Sequence, residues 1–118
     1  MSKQKRLISV AKLKKVVSEL IRYDNPTLPS AAMRLGISAR SLQRQLEIQD
    51  ITYSKLVEEM RYEVAQSLLA GTGLDIAEIG ASLGYRDPSS FSRAFMRWSG
   101  MSPREYRGSH APTKLSTS

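Results

Sequence analysis

The chain has 118 residues and a mass of 13.2 kDa, enough for one modest core and too little for two independent ones. Its 18 Lys and Arg against 11 Asp and Glu leave a net charge of +7 and a pI of about 10.0, which points toward a polyanion, nucleic acid or an anionic surface. The absence of Cys excludes disulfides and thiolate metal sites, His110 has no second His for a metal site, and the start MSKQKR leads into charged amphipathic sequence rather than a signal peptide or membrane span.

Taken in order, residues 1–8 read as a basic arm and residues 9–51 as a first helix-turn-helix subdomain. Between Ser9 and Tyr23, Val10, Leu13, Val17, Leu20 and Ile21 recur at helical spacing, while Lys12, Lys14 and Lys15 fall elsewhere; Asn25 and Pro26 end this helix. Leu28, Ala31, Ala32 and Leu35 then form the expected buried side of a short helix closed by Gly36, which tolerates the left-handed backbone that ends helices. Ile37 fills the turn and Ser38 caps the next helix, where Leu42 and Leu46 face inward and Arg40, Gln43, Arg44 and Glu47 face outward. For an isolated helix such a face is ordinary solvation, but the second helix of a tight pair is the element that enters a DNA major groove.

Residues 52–70 read as a linker helix, with Tyr53, Val57, Met60, Val64 and Leu68 near one face and Gly71 and Gly73 after it. About seventeen residues span about 26 Å, near what is needed to hold two DNA-reading heads roughly 34 Å apart once their width is added.

Residues 71–107 form the second subdomain. Asp75 and Glu78 make a variant capping box, Ile76, Ile79 and Leu83 a buried stripe, and Gly84 a stop. Tyr85 takes the place of Ile37, and Asp87 with Pro88 gives an N-cap followed by proline at the first helical position. Phe91, Ala94, Phe95 and Trp98 share the inward sector, with Ser89, Ser92, Arg93 and Met96 opposite and Arg97 beside them. Gly100, Ser102 and Pro103 turn the chain into a short helix carrying Arg104, Tyr106 and Arg107, and residues 108–118 read as a polar, disordered tail.

The two subdomains repeat one another. Leu35 and Gly36 match Leu83 and Gly84 at an offset of 48; Leu42, Arg44 and Leu46 match Phe91, Arg93 and Phe95 at 49, so the second turn holds one extra residue. The predicted fold is therefore all-α, about seven helices in two helix-turn-helix subdomains joined by a central linker helix.

The run IAEIGASLGYRDPSSFSRAFMRWSGMSPREYR resembles the second helix-turn-helix of the AraC/XylS family of bacterial transcription regulators, through Gly84-Tyr85, Asp87, Ser90 to Phe95, and Gly100 to Arg107. ISARSLQRQL is similar to that family's first recognition helix and EEMRYEVAQSLL to its linker helix, while Gly80, Pro29 and the Ala31-Ala32 pair depart from its usual pattern. The resemblance implies a transcription regulator, activator or repressor, that binds double-stranded DNA as a monomer through two recognition helices in successive major grooves of an asymmetric site. With no Cys, no second His, no glycine-rich phosphate loop and carboxylates that read as caps, neither an enzyme nor a cofactor is expected. It further implies RNA polymerase as partner, a cytoplasmic, nucleoid-associated location without membrane, and either a free-standing regulator or the C-terminal end of a longer one that dimerises through an N-terminal domain; the latter is favoured. Arg40, Gln43 and Arg44, with Ser89, Ser92 and Arg93, are the expected base readers, since Arg suits guanine and Gln adenine. Ser38, Lys12, Lys14, Arg97 and Arg104 are the expected phosphate contacts. Pro88 and the serines around Arg93 leave few long side chains on the second head, which shifts the expected burden of discrimination to the first. The other class considered is a basic protein-interaction module docking on an acidic partner.

Overall fold

The structure, a computed structural model, describes residues 7–110, so most of the expected basic arm and the tail beyond His110 lie outside the described residues. Among the described residues there are seven helices and no strand: α1 (Val10–Tyr23), α2 (Leu28–Leu35), α3 (Ala39–Ile48), α4 (Tyr53–Gly71), α5 (Ile76–Ser82), α6 (Pro88–Ser99) and α7 (Pro103–His110). The chain divides into two compact units, Met1–Met60 and Arg61–Ser118, and the division falls inside α4. None of these helices is long and apolar enough to cross a membrane.

In the first unit α1 starts where Ser9 Oγ accepts the Lys12 N–H at 3.1 Å. Leu13, Val17, Leu20 and Ile21 are 3% exposed or less, and this stripe packs α1 onto α2, which in turn packs on α3. Thr27 caps α2, and Pro29 sits in its first turn, where a missing N–H costs no helical bond. Only Ala31 and Ala32 are fully buried on α2; Leu28 and Leu35, expected beside them, are half-buried. The two small residues let neighbouring helices come close, which leaves the larger flanking side chains at the margin of the contact. Leu42 and Leu46 of α3 complete this core at 0% and 1% exposure. α3 then ends on Asp50, a non-glycine residue at φ 58°, while the Ile51 N–H donates to Leu46 O at 2.9 Å. Tyr53, at the start of α4, donates its hydroxyl proton to Pro26 O at 3.0 Å and ties α4 to the α1–α2 turn.

The buried residues of α4 do not keep to one stripe. Leu56, Val57, Met60 and Val64 fall within about 100° of one another, and Ala65 and Leu69 lie farther round the helix. Leu68, expected on the buried face, is half-buried, and Leu69 takes that role at 0% exposure. The physical reason is that α4 contributes to two cores in succession, Leu56, Val57 and Met60 in the first unit and Val64, Ala65 and Leu69 in the second, where the buried residues reach farther round the helix.

In the second unit α5 begins with the capping box, the Asp75 N–H donating to Glu78 Oε1 at 3.2 Å. Ile79 and Leu83 are buried, and Ile76 is only half so. Gly80 lies against α6: a Cβ there would stand 2.8 Å from Phe91 Cβ. Phe91 and Phe95 are both fully buried, each worth roughly 1.5–3 kcal/mol of burial. Around Phe95 four aromatic rings gather, those of Tyr62, Phe91, Trp98 and Tyr106, at centroid distances from 5.3 to 6.3 Å. Trp98 itself is half-buried rather than core, with its ring between Tyr62 and Tyr85. α7 runs through Gly108 to His110, past the point where the tail was expected, and His110 stacks on Tyr106 at 3.9 Å.

Candidate nucleic-acid interface

Each unit holds one tight helix pair, and the two turns are built alike. Gly36 at φ 76° and Gly84 at φ 98° take the left-handed conformation, and the next residue reaches back five positions. The Ile37 N–H donates to Ala32 O, and the Tyr85 N–H donates to Gly80 O, both at 3.0 Å. After this point Ser38 and Asp87 act as N-caps of α3 and α6, so the extra residue of the second turn is Arg86, which is exposed.

On α3 the apolar anchors Leu42 and Leu46 turn Arg40, Gln43 and Arg44 outward, and all three are exposed. Gln43 Nε2 donates to Glu47 Oε2 at 3.4 Å, a long contact that a base edge can replace. Ser38 Oγ accepts the Ser41 N–H at 3.0 Å and donates to Ser41 Oγ at 3.1 Å, so as a phosphate contact it would have to give up part of its cap.

On α6 the buried Phe91, Ala94 and Phe95 leave Ser89, Arg93 and Arg97 exposed and Ser92 half-exposed. The Ser90 N–H donates to Asp87 Oδ1 at 2.8 Å. This backbone bond, then the Ser90 side chain and the nearby Arg93 charge, hold the Asp87 carboxyl below its ordinary value of 3.8. Its negative charge is thus committed to the cap, where the helix dipole favours it, with the Arg93 charge nearby.

The remaining cations divide by what they touch. Lys12 and Arg104 are exposed. Lys14 forms an ion pair with Glu59 at 3.1 Å, so a phosphate would have to displace that carboxylate. Arg34 is paired with Glu19 at 3.0 Å. Arg107 has a structural task instead. Its Nε donates to Leu69 O at 3.0 Å and a terminal nitrogen to Thr72 O at 3.1 Å, satisfying carbonyls at the C-terminus of α4. Arg61 does the same for Leu83 O at 3.2 Å, closing the end of α5. The ending Gly100 to Arg107 now has a physical account. Gly100 takes φ 81°, Ser102 and Glu105 make reciprocal caps at 3.0 and 2.9 Å, Pro103 is buried, Tyr106 packs on Phe95, and Arg107 binds α4. Arg86 was missed by sequence reasoning although the one-residue insertion in the second turn marks its place.

The matched family model is described as a helix-turn-helix domain and covers residues 31–109. The ornithine utilization regulator of Pseudomonas aeruginosa is 40% identical over 84 residues, which are 71% of this chain and 25% of that protein. The C-terminal domain of AraT, a response regulator from Geobacillus stearothermophilus, is 31% identical with a TM-score of 0.69, covering 92% of each chain. A DNA-binding transcriptional dual regulator from Escherichia coli K-12 is 29% identical with a TM-score of 0.69, covering 83% of this chain and 91% of that one. The chain spans about a quarter of the length of the curated relatives it matches. Those relatives are regulators rather than enzymes. With its matched helix-turn-helix model, its regulator relatives and its all-α fold, the chain belongs to the AraC-type helix-turn-helix family.

Proposed function

We propose that the chain binds double-stranded DNA sequence-specifically and regulates bacterial transcription, with α3 and α6 entering successive major grooves of an asymmetric site. The observation that carries this reading is that each tight pair presents a second helix anchored by fully buried side chains and carrying exposed arginine and amide or hydroxyl groups on its other face. That is the arrangement a major groove needs, since the buried face fixes the helix and the free face offers hydrogen-bond donors to base edges. Arg40, Gln43 and Arg44 on α3, and Ser89, Ser92 and Arg93 on α6, are the base readers. Arg86, Arg97, Arg104 and Lys12, with the capped helix start at Ser38, supply phosphate contacts. Because the halves carry different side chains, the site is not a palindrome, and one chain suffices to bind it. Relatives named as transcriptional regulators support a role in transcription, with RNA polymerase as the protein partner and the cytoplasm as the place where that DNA is met.

The test is a salt series on random and selected duplexes. Each phosphate neutralised contributes about −0.9 to the slope of log affinity against log salt, so the four cations named give a slope of about −3.6 on both. No binding to any duplex at low salt would overturn the proposal and leave an acidic protein partner as the reading of the basic faces.

A further inference from the structure

α6 carries one exposed side chain that charge and hydrogen bonding do not explain. Met96 is 45% exposed, among the few large apolar side chains on the surface of the described residues. It lies on the turn of α6 after Ser92 and Arg93, beside the exposed Arg97 in sequence. Ser89, Ser92, Arg93 and Met96 stand at positions i, i+3, i+4 and i+7, the spacing with which a helix seated in a major groove brings four side chains to the base edges. The angular order agrees, with Met96 between Ser89 and Ser92 near the middle of the outward sector. Met96 therefore faces the same side as Ser92 and Arg93, one turn further along the helix. The offset of 49 that pairs Arg44 with Arg93 pairs Glu47 with Met96. One head thus places a carboxylate at this point and the other a thioether.

We infer that Met96 is a specificity-determining residue that reads the C5 methyl group of thymine at one edge of the α6 half-site. The one methyl group in the major groove is the C5 methyl of thymine, carried by A·T pairs alone, and an unbranched, polarisable side chain is suited to cover it. A cytosine or purine at the same place would leave the thioether against polar base atoms. The inference rests on the DNA-binding reading above and supplies the long side chain that the serines of this head lack.

The experiment uses the 118-residue chain and a duplex enriched from a random pool. Each thymine of the α6 half-site is replaced in turn by deoxyuridine, which removes the methyl and nothing else, and affinity is measured by fluorescence anisotropy. Wild type is expected to lose about fourfold at one thymine, the worth of one buried methyl group. Met96→Ala should bind the thymine and deoxyuridine duplexes alike, and Met96→Leu should restore a preference for thymine. Trp98 fluorescence checks that the variants are folded. Indifference of the wild type to every replacement, or the same loss in Met96→Ala, overturns the inference while leaving DNA binding intact. Failure to enrich any duplex overturns the DNA-binding reading itself, and the inference with it.

Discussion

Gly80→Ala should destabilise the protein even though the residue lies inside a helix. In an exposed helix interior the change to Ala gains about 1 kcal/mol. Here the new Cβ would stand 2.8 Å from Phe91 Cβ and 3.0 Å from Cγ, against the roughly 3.5–4.0 Å that carbon atoms prefer. The clash is with the root of the side chain, so a rotamer change does not relieve it, and Phe91 is fully buried between Tyr85 and Phe95. α5 and α6 must separate by several tenths of an ångström, which also strains the 3.0 Å bond from the Tyr85 N–H to Gly80 O that shapes the turn. Overpacking of this kind costs about 1–3 kcal/mol, and the position of the clash favours the upper end. The net loss expected is about 1–2 kcal/mol, a fall in Tm of roughly 4–8 °C. Thermal unfolding followed by Trp98 fluorescence is the assay, since this is the single Trp and it sits in the same unit. Gly71→Ala is the control, because nothing lies within 4 Å of a Cβ there, and it should be neutral or stabilising by up to about 1 kcal/mol. A rise in Tm for Gly80→Ala equal to that of the control would refute the reasoning.

Arg107→Met should cost about 1–3 kcal/mol in urea unfolding by leaving the Leu69 and Thr72 carbonyls without their charged donor, and Arg107→Lys should recover only part, having no planar fork. For Asp87 the folded-state pKa lies below 3.8, so the cap's contribution is fully present above about pH 4 and is lost as pH falls through the lowered value. Asp87→Asn, which keeps an acceptor without the charge, should flatten that acid limb of the stability profile; an unchanged limb would show that other carboxylates set it. Arg93→Ala should cost about 1–3 kcal/mol at one base position, and Arg40→Ala with Arg44→Ala should relax discrimination more broadly in competition with mutated duplexes. Equal loss on specific and random DNA would remove these residues from base reading.

Most of the turn and cap chemistry was legible in the sequence because it is local. Gly36, Ser38, Asp75 with Glu78, Gly84, Asp87 and Pro88 act within three or four residues of themselves, and the structure places each where its chemistry requires. What the pattern could not supply depends on partners distant in the chain. The buried sectors of α4 change because two cores use the helix in turn, and no single periodicity describes that. Asp50 ends α3 in the left-handed backbone where a glycine is more common, since an Asp tolerates that conformation. Arg107 is legible only as the last residue of the family signature, because its task depends on α4 carbonyls more than thirty residues away. Gly80 looked like a departure from the family pattern, and its meaning appears only with Phe91 opposite it. On the candidate interface, helical phase was enough to turn Arg40, Gln43, Arg44 and Arg93 outward, whereas the ion pair that occupies Lys14 joins residues far apart in sequence.

The central claim is that one chain reads DNA through two unlike helices, and selection from a random duplex pool by the 118-residue chain tests it most directly. The account predicts one enriched, asymmetric site of two half-sites with centres about 10–10.5 base pairs apart. Alanine at Arg40 and Arg44 should relax preference across one half, and alanine at Arg93 at one position of the other. A palindromic site, a single half-site untouched by either set of changes, or no enrichment at all would contradict it.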